Sequence, residues 1–247
     1  MNKIGIRLLI TLPLLLPLTL VSAQKKGKVW AEWSKKDAQQ MLNDSPWAKT
    51  QADTDTAQRL YSRSGDATLS PDRTTAGTTA RLGRGAVNRE INIRFRVRFF
   101  SARPIRQAHA RLIKIDQNPS GEVLTRLQDF ADLKAVSSII VTASFDSNDA
   151  GYFGTISQAF DTGTTNILKS NTYLERSDGK RLFLEQYVPP GKDGFGARFV
   201  FPRQTNGAPF INRNSGVIRF HAEYPAGIQI DRRFRVADMI YNGELEY

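Results

Sequence analysis

Strict alternation of apolar and charged positions runs from Ile91 to Phe99. Ile91, Ile93, Phe95, Val97 and Phe99 hold one phase, and Arg94, Arg96 and Arg98 hold the other. A period of two marks a strand with one buried face. The spacing then changes. Ile105, Ala108, Leu112 and Ile115 recur at helical intervals after Arg103-Pro104 and predict an amphipathic helix. Asn118-Pro119-Ser120-Gly121 interrupts it, and Ser120 is placed to cap a second helix over 122–134 with Val123, Leu127 and Phe130 inward. Residues 136–145 read as another strand. Tyr152, Phe153, Ile156 and Phe160 space like a short helix that Asp161-Thr162-Gly163 ends.

From Thr172 the pattern is all-β. Residues 171–190 predict a hairpin with Ser177-Asp178-Gly179-Lys180 as its turn. GARFVFP, GVIRFHAEYP and IQIDRRFRV supply three more strands, and the aromatic tail DMIYNGELEY is expected to pack rather than trail. Near the start, Ser34 with Asp37 three residues on is a reciprocal capping pattern. Ala38, Met41 and Leu42 continue that helix, and Pro46 forces Ser45 into extended geometry, so the helix stops before it. Trp30, Trp33 and Trp47, the chain's three tryptophans, flank it. They are expected either to anchor the helix to the main domain or to offer a hydrophobic docking surface to a partner. Residues 50–85 are rich in Thr, Ser, Gly, Asp and Arg and follow no period, the signature of a polar linker or long loop.

These elements predict an α+β fold, a mostly antiparallel sheet with covering helices. A small sandwich or partial barrel built from the late strands is the alternative. An early strand–helix order followed by consecutive strands argues against a doubly wound sheet. The expected organisation is a signal peptide over 1–23, a tryptophan-flanked helix over 24–49, the polar stretch over 50–85 and an α+β domain over 86–247.

Composition adds the compartment. Lys3 and Arg7 precede an apolar run from Leu8 to Leu20, and Val21 and Ala23 place small residues before Gln24. That layout predicts cleavage near Ala23 and export, to the periplasm or beyond. The run is shorter than the roughly 20 apolar residues of a membrane span, and no later segment is apolar enough for one. The 224 residues from Gln24 onward suffice to bury a core without staples. Cysteine is absent, which excludes disulfides, thiol catalysis and thiolate metal sites. Two histidines, His109 and His221, leave no basis for a multi-histidine metal centre, and no cofactor is expected.

Charge narrows the candidates. The net charge is +11, and residues 81–114 hold ten basic residues against the single acid Glu90. Arg94, Arg96 and Arg98 would stand about 6.8 Å apart on one strand face, and Arg103, Arg106 and Arg111 follow on the next helix. Each guanidinium is a planar fork for an oxyanion, so these six are the candidate anion- or partner-binding residues. Against that, a long side chain with apolar methylenes also suits a solvated sheet face, and Glu175, Glu185, Glu223 or Asp231 could pair with the row across strands. His109 reads as a packed residue. His221, between Arg219 and Glu223, is a conceivable general base with no fixed partner. Asp146, Asp149 and Asp161 are conceivable paired carboxylates, without the spacing of a calcium loop. Nucleophile-elbow, Walker and dinucleotide signatures are missing. Phe100 breaks the alternation, where it would either stack a base or end the strand, and no nucleic-acid module is visible.

LNDSPW at Leu42–Trp47, VRFFSARPIRQAHARL at Val97–Leu112, FVFPR at Phe199–Arg203 and MIYNGELEY at Met239–Tyr247 together resemble a group of uncharacterised exported bacterial proteins. The resemblance implies export and bacterial origin and carries no catalytic residue. The expectation is therefore an exported envelope-associated structural or interaction protein with a basic docking surface, engaging an envelope protein or an anionic surface polymer or lipid. The alternatives are a module binding an anionic ligand, such as a phosphorylated lipid or acidic polysaccharide, and a carboxylate-dependent hydrolase.

Overall fold

The computed structural model describes residues 29–52, 93–134, 136–225 and 227–247. The expected signal peptide over 1–23, most of the 50–85 stretch, and residues 91 and 92 of the alternating run lie outside them. After a 3-10 turn at Trp30–Glu32, helix α1 spans Lys35–Asn43. Its start is the capping box read from the sequence: Ser34 Oγ accepts from Asp37 N at 3.1 Å, and Asp37 Oδ2 accepts from Ser34 N at 3.0 Å.

One sheet comprises β1 (Ala48–Ala52), β2 (Ile93–Phe99), β3 (Ser138–Ser147), β7 (Ala197–Pro202) and β6 (Gln186–Val188), in that spatial order and antiparallel throughout. The other runs β11 (Gln229–Arg235), β10 (Val217–Glu223), β4 (Thr172–Arg176) and β5 (Arg181–Phe183). The two sheets face each other. Phe99 meets Phe234 edge-on with centroids 4.8 Å apart, and Phe199 meets Phe220 at 5.1 Å. The alternating residues of β2 thus go where their period requires, with Ile93, Phe95, Val97 and Phe99 fully buried. Gly196, at φ +80°, lets the chain enter β7 against β3, since a Cβ there would collide with the Ala143 carbonyl.

Helices α2 (Arg103–Gln117) and α3 (Gly121–Asp132) pack together on the side of α1. Helix α4 (Ala150–Thr162), capped by Asp149, sends Phe160 between Phe95 and Tyr224, 6.4 and 5.0 Å away. A short α5 (Thr165–Leu168) leads into β4. The tail forms a hairpin, β12 (Ile240–Tyr241) and β13 (Glu244–Leu245), with Met239 and Tyr247 buried, as its aromatic content implied. A smaller hairpin joins β8 (Gln204–Thr205) to β9 (Ala208–Pro209). The architecture is α+β without a closed barrel.

Four local expectations need correction. Ser120 precedes α3 without a side-chain capping hydrogen bond. Residues 48–52 form an edge strand, so Thr50–Ala52 belong to the sheet and not to the polar stretch. The hairpin expected over 171–190 ends at Phe183; Gln186–Val188 crosses to the other sheet and pairs with β7. Val123 does not face inward but is 61% exposed, because α3 packs through Leu127, Phe130 and Ala131 instead.

Candidate functional site

The arginine row of β2 is graded in burial. Arg94 is exposed and Arg96 half-buried with Asp146 at 3.2 Å. Arg98, at 7% exposure, lies under α1. Its Nε donates to the Leu42 carbonyl at 2.6 Å, Nη1 to Ser144 Oγ at 3.1 Å and Nη2 to Asn43 Oδ1 at 3.3 Å. These three acceptors carry no charge, and burial, with Arg96 nearby, lowers the guanidinium to about 10. It remains a cation at neutral pH.

The arginines of α2 are also brackets. Arg103 contacts Glu244 and Glu246, both at 2.8 Å, and ties the tail down. Arg106, 3% exposed, donates to the carbonyls of Ser101, Phe130 and Leu133, capping the end of α3. Burial lowers its affinity for its proton. Arg111 Nε reaches the Trp33 carbonyl at 2.6 Å. The six arginines therefore do not converge on one open patch; Arg98 and Arg106 are interior. The tryptophans behave alike. Trp33 and Trp47 are buried, Trp47 Nε1 donates to the Glu246 carbonyl at 2.8 Å, and Trp30 packs half-buried against the core. They hold α1 to the body.

A different set of cations does converge. The edge strands of the two sheets, β1 and β11, meet through Gln51, whose amide receives Asp231 N at 2.9 Å and donates to the Gln229 carbonyl at 3.2 Å. Beside this stitch opens a cleft of about 470 Å³ lined by Lys49, Thr50, Arg219, Asp231, Arg232 and Arg233. Four cations and one carboxylate thus line the cleft. The register of β10 on β11 sets Arg219 directly opposite Arg233, a like-charge cross-strand pair that costs stability in isolation. Arg219 is held by Asp231 at 2.7 Å and Glu175 at 3.2 Å, which raise its pKa further, whereas Arg233 stands exposed on the edge strand.

His221 borders this network. A carboxylate only accepts, so Nδ1 carries the proton that faces Asp231 Oδ2 at 3.3 Å. Its ring stacks on Tyr173 at 4.9 Å, and Arg181 lies 4.3 Å over the other ring's centre. Burial pushes the Asp231 carboxyl upward, but hydrogen bonds from His221 and Arg219 outweigh it and hold the group at about 2. Asp231 is therefore an orienting anion and not a proton carrier near neutral pH. Two of the four acids expected to serve β2 are used here instead: Asp231 holds Arg219, and Glu175 joins Arg181 and Arg219.

The remaining candidates fall into structural places. His109 sits 4.2 Å from Phe195 beside Phe100 and Phe130, where burial lowers it to about 4. Phe100 packs in this cluster. Asp146 answers Arg96 and Asp149 caps α4, while Asp161 is exposed. Among the described residues, no group of three or more His, Asp or Glu side chains is placed to hold a metal, and no helix is long and apolar enough to cross a membrane. Part of the signal for the cleft was present in the sequence as Asp231-Arg232-Arg233 on the strand after that of Arg219, but its fourth cation, Lys49, is remote along the chain. No family model, curated protein or solved structure matches this chain.

Proposed function

We propose that the protein is an exported, non-enzymatic binding protein whose cleft between β1 and β11 holds an oxyanion group of an envelope component, a phosphate or sulfate on a lipid or polymer. The observation that carries this reading is the cross-strand pair Arg219–Arg233, flanked by Arg232 and Lys49 around the single acid Asp231. An oxyanion between the two guanidinium groups would relieve their repulsion and accept from planar forks on either side. Asp231 positions Arg219 from behind, and His221 orients Asp231. The rest of the positive charge, on β2 and α2, supports the fold and supplies a background field.

The reading is tested with pyrophosphate and dextran sulfate, titrated calorimetrically into the purified protein at low and moderate salt. Saturable binding that weakens with salt is expected, and Arg233→Glu should lower affinity about tenfold or more, the loss of one charge-assisted contact and its reversal. Binding unchanged by Arg233→Glu would overturn the proposal.

A further inference from the structure

At the turn between α1 and β1 lies a second cavity, also of about 470 Å³. Trp33, Met41, Pro46 and Tyr241 give it apolar walls, and Asp37 and Asp44 give it two carboxylates; no lysine or arginine lines it. An acidic, aromatic hollow on a chain of net charge +11 is a local inversion of the protein's field. We propose that this groove binds a small organic cation, an alkylammonium group whose carbon shell meets the rings and whose charge meets the carboxylates.

The chemistry of the walls selects that class. An ammonium bearing alkyl groups is attracted to the faces of Trp and Tyr and loses little by leaving water. The thioether of Met41 adds a soft, adaptable contact. A bare metal ion would need more ligands than two carboxylates, and no larger acidic group is assembled among the described residues. The groove is also held in shape before any ligand arrives. Asp37 is fixed by the capping box. The Tyr241 hydroxyl donates to Gln107 Oε1 at 2.7 Å, and its ring meets Trp47 edge-on at 6.0 Å. Arg103 already sits 5.6 Å from the Tyr241 ring centre, so this ring serves as a cation acceptor within the fold itself. Asp44, with 84% of its side chain exposed, is the carboxylate best able to turn toward an arriving charge. Pre-formed walls lower the ordering cost of binding.

Tryptophan fluorescence reads the site directly, because Trp33 lines it and Trp47 touches Tyr241. Benzyltrimethylammonium chloride is titrated against its uncharged isostere, neopentylbenzene, and against sodium chloride at matched ionic strength. A saturable change is expected with the cation alone. Asp44→Asn, an exposed position where the fold is retained, should weaken it roughly three- to tenfold, the scale of one partly screened charge contact. Tyr241→Phe keeps the ring and should bind nearly as the parent does, whereas Tyr241→Leu should lose most of the response while its circular dichroism matches that of the phenylalanine variant. No saturation with the cation, equal response to the isostere, or full affinity in Asp44→Asn would each overturn the assignment. Because the probe is a cation and no polyanion is added, these outcomes stand whether or not the basic cleft binds anions.

Discussion

Two groups of arginines, one along β2 and one across the β10–β11 pair, meet opposite fates. On β2 the row runs from an exposed Arg94 into the dark under α1, where Arg98 is held by a carbonyl, a hydroxyl and an amide. On the β10–β11 pair Arg219, from the inner strand, is held by two carboxylates, while Arg233, on the edge strand, opens into a cleft. The alternation is equally clean in β2 and β10. What differs is the layer above: helix α1 roofs the buried end of β2's polar face, whereas Arg233 stands exposed on its edge strand. A buried guanidinium loses water on every side and is kept because its donors are satisfied, so it becomes a bracket between elements. A guanidinium at an edge keeps its water until something anionic replaces it.

The largest test of that contrast is a pair of alanine substitutions. Arg98→Ala should remove the link from β2 to the end of α1, leave the Leu42 carbonyl and Asn43 amide without their donor, and cost about 3 kcal/mol in a denaturant melt. Arg233→Ala should cost less than about 0.5 kcal/mol, or stabilise slightly by removing like-charge repulsion with Arg219. Equal costs for the two would erase the distinction between bracket and site. Arg106→Met belongs with Arg98: losing three carbonyl contacts at the end of α3 should cost about 2 kcal/mol, despite the retained apolar stem.

A second contrast is set by acid. His109 is packed neutral near Arg98 and Asp193, with burial the main cause of its low pKa of about 4 and Arg98 opposing the smaller upward pull of Asp193. The unfolded chain binds the proton first, near pH 6.5. Stability due to His109 is therefore complete above about pH 6.5 and falls as pH drops toward 4, by up to about 3 kcal/mol. His109→Phe should flatten that limb in melts taken from pH 7 to 4. If the two curves stay parallel, the histidine is solvated or charged in the fold. Asp231, held at about 2, stays ionised across this window, so the cleft itself keeps its carboxylate.

The difference between the groups also shows why part of the molecule was legible from its sequence and part was not. Period and capping are local, so α1 with its Ser34–Asp37 box, the phase of β2, the helix after Pro104 and the turn at 177–180 could all be read. Partner choice is not local. The strand AKTQA has no period, and only its pairing with β2 makes it a strand. Gln186–Val188 changes sheets because β7 offers an edge, which no residue in that tripeptide announces. Alternation says which residues share a face but not what covers that face, and so the six arginines from Arg94 to Arg111 looked like one surface. The cleft needed Lys49 and Arg233 to meet across the edges of two sheets, stitched by Gln51.

The smallest and most discriminating prediction concerns Lys49, which stands between the two cavities. It lines the basic cleft, and its Nζ lies 3.7 Å from Asp44 Oδ1, a carboxylate of the acidic groove. The pair is exposed, so it contributes little to stability, within a few tenths of a kcal/mol. Its position still links the two sites. An anion drawing Lys49 into the cleft would leave Asp44 to a cation, and each ligand would then raise the affinity for the other by the same factor. Lys49→Gln should therefore weaken pyrophosphate binding roughly twofold to threefold, strengthen benzyltrimethylammonium binding by a similar factor, and abolish the mutual enhancement when both are titrated together. Opposite shifts follow from the loss of any one positive charge, so it is the lost enhancement that would place the boundary between the two regions at this side chain. Enhancement that survives in Lys49→Gln would mean that Lys49 acts only through the general field of a basic protein.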